Sequence, residues 1–368
     1  MADVPVAGSL LVSPAPHIRG AGSSALMTWT VTLCLVPAAA WGVFLFGAPA
    51  AFVLLVAVGT ALATELAVVL PFRGFTLGDG SAFLTGLIVG LLMPAGAPLH
   101  IPAAASAFGI VIVKQSFGGL GRNWMNPALA GVAFAHLSWG GALAKWVAPR
   151  GALPGTEALA PLEALRMVLA GHPAVRGSLL RVLADSGYPF SGIDGRVVGW
   201  INARLLAPLG GALPRGVFDL LVGNAAGRIG EVSVPLLLAG AAWLIARRIV
   251  RWQVPVSFVA SFAVLAGVFG GLTEGRGWFA GGVFVQLFSG SLILCAFFAA
   301  PDPVTAPLSA AGRYFYGAGL GVAAFFLRFY GSMDDGAPIA VILGNCFVPL
   351  IDRLVRSAGS GLGKAGAR

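Results

Sequence analysis

Residues 25–46 read ALMTWTVTLCLVPAAAWGVFLF, and residues 49–70 read PAAFVLLVAVGTALATELAVVL. A helix needs about 20 predominantly apolar residues to cross the hydrocarbon core of a bilayer, and each run is long enough. Glu65 is the one charged residue in the two runs. The two stretches therefore predict a pair of consecutive membrane-spanning helices.

The composition of the whole chain agrees with a lipid environment. The 368 residues are 58% hydrophobic and 10% charged, whereas soluble domains carry roughly 25% charged residues. The net charge is +9, and the basic residues lie mainly beside apolar segments, with no basic run interleaved with aromatic residues. This pattern favours contacts with lipid headgroups over binding to nucleic acid. The cysteines and histidines show no metal-ligand spacing, so no metal site is predicted.

Eight further apolar segments extend the pattern along the chain. They cover residues 81–94, 100–115, 127–141, 232–248, 254–273, 278–300, 313–331 and 337–353. The sequence thus predicts an all-α polytopic membrane protein of about ten transmembrane helices. Because residues 81–94 and 127–141 are short for a span, a count of eight or nine stays open.

Basic residues near the ends of the segments predict the orientation. Arg247, Arg248 and Arg251 share one short loop without an acidic residue, which is typical of a cytoplasmic loop. Successive spans cross the membrane in opposite directions, so counting the ten predicted spans from this loop towards each end of the chain places both termini in the cytoplasm. The predicted divisions are a tail (1–24), a first transmembrane half (25–141), an outer-side extramembrane or amphipathic segment (142–228), a second transmembrane half (229–355) and a tail (356–368).

Five spans on each side of the central segment give two halves of opposite starting orientation. Inverted five-helix repeats place ligand sites where the repeats meet. A weak internal echo favours such a repeat, because Asn123 precedes Pro127 by four residues and Asn345 precedes Pro349 by four residues. Two such matches also arise by chance in a proline-rich chain, so both interpretations stay open.

The run KQSFGGLGRNWMNP, residues 114–127, is the most unusual in the chain. Its three glycines permit tight turns or the close approach of a ligand, and Pro127 suits the first turn of a helix. Gly121, Arg122, Asn123 and Asn126 are therefore candidate cofactor-binding residues. The alternative is a cytoplasmic loop whose basic residues only fix the topology.

Three carboxylates are candidates for an ion path. Glu65 lies inside a predicted span without an obvious local partner. An ionisable residue at membrane depth is costly and is therefore a functional candidate by default, and a salt bridge to a neighbouring arginine is the alternative. Glu231 begins a span and has the alternative role of favouring a helix N-terminus. Asp302 lies in DPVTAP (302–307), which also reads as an ordinary turn, and Thr305 of that motif is a further candidate cofactor contact.

Several motifs together resemble one family. They are VSPAPHIR (12–19), TEL (64–66), DGSAFLTG (79–86), GGLGRN (118–123) with MNPA (125–128), GRIGE (227–231), DPVTAP (302–307) and NCFVPLID (345–352). In this order they resemble the RnfD component of the Rnf ion-translocating electron-transport complex and its homologue, the NqrB component of the sodium-pumping NADH:quinone reductase. The resemblance covers about residues 10–355.

The resemblance implies a membrane component of a redox-driven ion translocase that is not catalytic alone. The complex would pass electrons from NADH or ferredoxin through flavins and iron–sulfur centres and move Na⁺ or H⁺. It also implies a bacterial inner membrane, the Rnf-type components A, B, C, E and G as partners, and a flavin cofactor, FMN or riboflavin. A redox-inactive channel or carrier, or a membrane scaffold on the same fold, are the alternatives.

One departure from the family concerns the outer-side segment. Family members typically esterify FMN to a threonine in a Ser/Gly-Ala-Thr-Pro-Leu motif. The best local match is ALAPL (158–162), where Ala160 has no hydroxyl to esterify. Thr156 and Ser191 lack the required neighbours. The sequence therefore predicts no covalent FMN, and a flavin bound here would be held noncovalently.

Overall fold

The computed structural model describes residues 24–71, 76–150, 159–169, 183, 188, 192–209, 213–273, 277–331 and 335–365. Over these ranges every regular element is helical, apart from an isolated antiparallel bridge between Pro94 and Arg228. The prediction of an all-α protein is confirmed. The boundaries predicted at residues 24/25, 141/142, 228/229 and 355/356 stay predictions.

Among its described residues the first half contains five α-helices, with a short 3-10 helix (Leu77–Asp79) before the third. They are α1 (Ser24–Phe46), α2 (Ala48–Val69), α3 (Ser81–Leu91), α4 (His100–Phe108), which continues as a π-helix over Gly109–Gln115, and α5 (Pro127–Leu143). Pro127 occupies the first turn of α5, as predicted. The Asn126 side chain accepts hydrogen bonds from the amides of Ala128 and Leu129, at 3.0 and 3.3 Å, which fixes where α5 begins.

The described residues of the central segment include three short α-helices, α6 (Pro161–Leu169), α7 (Gly192–Ile201), which continues as a π-helix over Asn202–Leu206, and α8 (Val217–Val222). It contacts the C-terminal end of α1. The Trp41 indole N–H donates to the Val222 carbonyl at 2.9 Å, and the Arg150 amide donates to the Leu45 carbonyl at 3.0 Å. The segment therefore packs at the end of the bundle opposite to the N-terminus of α1.

The second half begins with α9 (Val234–Ala246), α10 (Gln253–Thr273) and α11 (Val283–Phe288). It continues with α12 (Leu292–Leu294), extended by a π-helix over Cys295–Ala299, and ends with α13 (Ala310–Tyr330) and α14 (Ala337–Ala365). The prediction of one continuous span over 278–300 is wrong. The helix breaks after Phe288 because Gly290 adopts φ 74°, a left-handed conformation that a continuous right-handed helix excludes.

Helix length and surface chemistry support a bilayer as solvent. In the part of the chain that the structure describes, four helical stretches are long and apolar enough to span, namely Ser24–Phe46, Ala48–Val69, Gln253–Leu272 and Ala337–Arg356. Two shorter apolar helices are Ser81–Leu91 and Val234–Ala246. Leu33 and Leu55 point outward with 66% and 68% exposure, as lipid-facing side chains do. The polytopic class is confirmed, and the count of ten spans stays a prediction.

The two halves meet where their helices are interrupted. The amides of Ile229 and Gly230 donate to the carbonyls of Met93 and Leu91, at 3.0 and 2.7 Å. Backbone groups that leave a helix inside a membrane protein need partners from the protein itself, because lipid offers none. The chain before α9 supplies these partners to the end of α3.

Small residues let α10 and α13 approach closely. A Cβ atom added at Gly321 of α13 would lie 2.8 Å from the backbone nitrogen of Phe262, and still closer to the Phe258 carbonyl. The hydroxyl of Ser261 donates to the Ala318 carbonyl across the same contact, at 3.1 Å. Lipid tails are as apolar as the helix surfaces, so the hydrophobic effect does not drive helices together in a membrane. Close van der Waals packing at small residues drives their association instead.

We expect Gly321→Ala to lower the free energy of unfolding by about 1–3 kcal/mol, because the added methyl overpacks this contact. Gly319→Ala on the same helix is the matched control, since an added Cβ there meets nothing within 4 Å. Thermal unfolding of the detergent-solubilised protein measures both. Equal melting temperatures for the two variants would contradict the close packing of α10 and α13.

Candidate functional site

A cavity of about 330 Å³ opens beside the N-terminus of α1. Its lining comes from α1, α3, the glycine-rich loop, the loop between α9 and α10, and the turn after the π-helix of the second half. Four residues predicted from sequence lie in its wall, namely Gly121, Asn123, Asn126 and Asp302. The structure therefore joins cofactor-binding candidates from the first half with an ion-path candidate from the second.

Asn123 is the best-placed of these residues for recognising a ligand. Its side chain is buried, and its Nδ2 donates to the Met125 carbonyl at 3.2 Å. Its Oδ1 has no hydrogen-bond partner among the described residues. A buried amide oxygen without a partner is costly, so this acceptor is suited to a donor supplied by a bound molecule.

A buried ion pair forms the wall next to Asn123. Lys114 Nζ contacts the Glu65 carboxylate and lies 2.5 Å from Ser81 Oγ, and both charged side chains are nearly inaccessible. Thr76 Oγ1 donates to the other Glu65 oxygen at 3.0 Å. Glu65 has no local partner in the sequence, as expected, and its salt-bridge partner is Lys114, which the π-helix after α4 brings to it across 49 residues of sequence.

Local structure explains why Lys114 reaches this position. Lys114 lies in the π-helix that follows α4, and the wider turn of a π-helix is common at functional sites. On the facing side, Gly80 at φ 73° lets Ser81 start α3, and the Asp79 carboxylate accepts from the Ser81 amide at 2.8 Å. Gly80 is thus the N-cap of α3, and Asp79 binds the amide of its first residue.

The remaining candidates divide between the cavity and its surroundings. Asp302 lines the cavity, and its Oδ1 accepts from the Val304 amide at 3.1 Å, which is the turn role that the motif also predicted. Thr305 is buried outside the cavity lining, and its hydroxyl has no partner within the described ranges. Arg122 is exposed and does not line the cavity.

Glu231 belongs to a second cluster near the break at Gly290. Its carboxylate accepts from the amides of Arg228, at 3.1 Å, and of Gly290. Asp335 lies at the centre, with Arg228 Nη1 2.8 Å from Oδ2 and Arg328 Nη2 3.4 Å from Oδ1. Glu231 therefore binds amides of this cluster and does not face the cavity.

Sequence reasoning noted Lys114 and Arg228 only as members of the runs 114–127 and 227–231, and it predicted the partner of neither. It did not single out Arg328 or Asp335 as site residues. Arg328 lies within a predicted span, where an ionisable residue is unusual, so the sequence held a signal for it. Arg228 precedes its span and gave no such signal.

Ala160 lies at the start of α6 and is buried. Its carbonyl accepts from the Ala164 amide at 2.9 Å, and its side chain is 2% exposed. The position therefore offers neither a hydroxyl nor an open surface for attaching a flavin. Thr156 and Ser191 lie outside the described residues.

Comparison with known proteins identifies the family of this chain. The model of the NQR2, RnfD, RnfE family matches residues 11–361. The chain belongs to this family. It is 33% identical over 349 residues to the D component of the proton-translocating ferredoxin:NAD(+) oxidoreductase complex of Clostridium ljungdahlii, covering 94% of each chain. The resemblance inferred from the sequence motifs is confirmed.

Other relatives have similar coverage. The chain is 37% identical over 341 residues to the D component of the ion-translocating oxidoreductase complex of Stutzerimonas stutzeri, covering 89% of each chain. It is 31% identical over 349 residues to the D component of the Na(+)-translocating ferredoxin:NAD(+) oxidoreductase complex of Acetobacterium woodii, covering 95% of this chain and 94% of that one. The relatives are thus components of redox-driven ion translocases, as the motifs implied.

The Glu65–Lys114 pair predicts a specific pattern of stability. Lys114→Met should lower the free energy of unfolding by about 3–5 kcal/mol, because it leaves a buried carboxylate unpaired. The double variant Glu65→Gln/Lys114→Met should recover most of this loss. Arg122→Met removes an exposed charge from the adjacent loop and should change stability by less than about 0.5 kcal/mol. Thermal unfolding of these variants and of the native sequence measures the effect. Equal losses of melting temperature in Lys114→Met and Arg122→Met would contradict the buried ion pair.

Proposed function

We propose that this chain is the RnfD-type membrane component of an Rnf-type complex and that it couples electron transfer to Na⁺ or H⁺ movement. The observation that carries the proposal is the joining of the cavity with the buried Glu65–Lys114 pair through the Lys114 side chain. Lys114 is thereby part of both the proposed cofactor cavity and the buried ion pair. Rnf-type components A, B, C, E and G are the proposed partners, in a bacterial inner membrane with both termini cytoplasmic.

The cavity suits the ring system of a noncovalent flavin, FMN or riboflavin. Its volume of about 330 Å³ lies at the low end of ligand pockets, which span roughly 300–1,000 Å³. Mainly apolar side chains line it, and the unpartnered Asn123 Oδ1 would accept from the ring imide N–H. A flavin there would supply one-electron or two-electron chemistry, while the protein binds and orients it.

Lys114 provides a physical route from charge in the cavity to ion movement. Among the described residues that line the cavity, it is the one basic side chain. Negative charge entering the cavity would compete with Glu65 for Lys114, and such competition is strong where the effective dielectric is low. A loosened Glu65 carboxylate would then accept a cation, and restoration of the pair would release it.

Glu231, Asp302 and Thr305 have subordinate roles in this proposal. Asp302 adds a carboxylate to the cavity wall and would attract a cation towards it. Glu231 keeps its predicted place on the ion path as part of the second cluster, at the junction of the halves. Thr305 would contact the cofactor only after a local rearrangement.

Flavin binding is tested on the gently purified complex. We expect this chain to show no flavin fluorescence on a denaturing gel and to release flavin on denaturation. Asn123→Leu should reduce flavin binding about tenfold, because the imide N–H loses its acceptor. Asn224→Leu is the matched control, since Asn224 is a second buried asparagine that contacts Asp219 away from the cavity.

Three results would contradict the flavin assignment. They are a fluorescent band for this chain on the denaturing gel, equal flavin contents of the two asparagine variants, and a flavin-free chain in a complex that pumps normally. The last result would favour a scaffold. Conduction of a small solute by the isolated chain in liposomes would favour a channel or carrier.

Glu65→Gln tests the ion path. We expect the number of ions moved per electron to fall at least about tenfold in sealed vesicles, because the amide cannot exchange a proton or bind a cation as a carboxylate does. The readouts are radioactive Na⁺ uptake and a pH-sensitive dye during electron transfer. Asp352→Asn, in the C-terminal half of α14, is the control for losing one carboxylate.

Unchanged pumping by the Glu65→Gln complex at every pH would remove Glu65 from the path. Equal losses in both variants would show that assembly, and not Glu65, limits the transport. Flavin content measured on the same preparations separates a transport defect from cofactor loss.

A further inference from the structure

Two Gly-Ser pairs occupy matching positions in the two halves. Gly80 and Gly290 adopt φ 73° and 74°. Each is followed by a serine whose amide and hydroxyl both bind one carboxylate. The Ser81 amide lies 2.8 Å from Asp79 Oδ1, and the Ser291 amide lies 2.7 Å from Asp335 Oδ2.

The matching extends to the chain that follows each pair. The tripeptide Ala-Pro-Leu precedes α4 and α13, at 97–99 and 306–308, but it also occurs at 160–162 and 207–209 and so does not by itself indicate a repeat. Near its C-terminal end, each of these helical segments carries a buried basic residue. Lys114 contacts Ser81, and Arg328 contacts Asp335. The Gly-Ser pairs and the placement of these two basic residues, together with the Asn-to-Pro echo, favour an inverted repeat over a chance match.

The two clusters differ in the space beside them. The Ser81 cluster borders the cavity of about 330 Å³, which also contacts the loop after α9 that carries Arg248 and Arg251. Beside Glu231 the space is about 10 Å³. At Gly290 even one added carbon would lie 2.8 Å from Leu162 Cδ1 of the central segment. The first cluster is therefore open towards one side of the bundle, and the second is closed.

We propose that the second cluster is the outer gate of the ion path, held shut in this structure by Asp335, Arg228, Arg328 and Ser291. This inference rests on the proposed function and deepens it. The first cluster, Glu65, Lys114 and Ser81, is the equivalent ion-binding cluster on the cytoplasmic side. An ion crossing the protein leaves to the outside when Asp335 releases Ser291 and the Arg228 guanidinium.

Charge and burial make this network suitable as a seal. Arg228 and Arg328 balance Asp335 and Glu231 in charge. Both arginines and Asp335 are buried, and the Arg328 guanidinium also lies 4.9 Å from the Phe262 ring centroid. A closed network of this kind is stable only while complete, because removing one partner leaves an uncompensated buried charge. Partial opening is therefore disfavoured.

Cys295 is a built-in reporter of this gate. Its Sγ lies 3.4 Å from Ser291 Oγ, and its side chain is buried. The other two cysteines, Cys34 and Cys346, can be changed to serine so that Cys295 is the single thiol. Its reaction with a membrane-impermeant maleimide then measures water access to the gate.

The experiment uses right-side-out and inverted membrane vesicles that contain the whole complex. We expect Cys295 to react slowly with the maleimide in the native sequence. In Asp335→Asn it should react at least about tenfold faster from the outer side, because a small drop in the free energy of opening the gate raises the open fraction by that factor. Asp352→Asn, in the C-terminal half of α14, should leave the rate unchanged. Ser291→Ala keeps every charge and should give a smaller rise.

Fast labelling of native Cys295 from outside, or no rise in either gate variant, would overturn the gate. If Asp335→Asn fails to insert, Ser291→Ala decides alone, and an unchanged rate then overturns the proposal. Acceleration from the inner side only would place the cluster at the wrong face and overturn it as well. Labelling needs no electron transfer, so its result is independent of the pumping and flavin measurements that test the proposed function.

Discussion

The Glu65–Lys114 ion pair is the interaction on which the cavity depends. Neither charge is stable alone at membrane depth, so α2 and the π-helical end of α4 must stay in contact for either to exist. Ser81 binds the same ammonium group and adds α3 to the assembly. Three helices that carry almost no other charge are thereby held in one arrangement, and the wall of the cavity is the surface that they form.

Interrupted helices are possible here because the two halves satisfy each other's backbone. The end of α3 accepts hydrogen bonds from Ile229 and Gly230, and the break at Gly290 donates an amide to Glu231. Lipid offers no such partners, so irregular backbone at this depth must be enclosed by protein. The cluster of Glu231 and Asp335 consequently lies at the junction of the halves, whereas Glu65, Lys114 and Ser81 all belong to the first half.

Local signals in the sequence predicted the helices, and long-range contacts determined the site. The apolar runs and the place of Pro127 in the first turn of α5 depend on neighbouring residues, and the structure has them where expected. The Glu65–Lys114 contact spans 49 residues and the Arg228–Asp335 contact spans 107, so no local pattern reveals either. The break inside 278–300 was missed for the same reason, because the groups that satisfy it come from distant segments.

The chemical difference between the two clusters bears on what each can do. Lysine is a compact charge on a flexible stem, so Lys114 can change partners by a small rotation. Arginine presents a planar fork, and two guanidiniums hold Asp335 from two directions. In the proposed mechanism the cluster beside the cavity would therefore respond to a change of charge, whereas the cluster at Asp335 would resist one. A pump needs both properties, since an ion taken up on one side must not leak through the other before the charge in the cavity has changed.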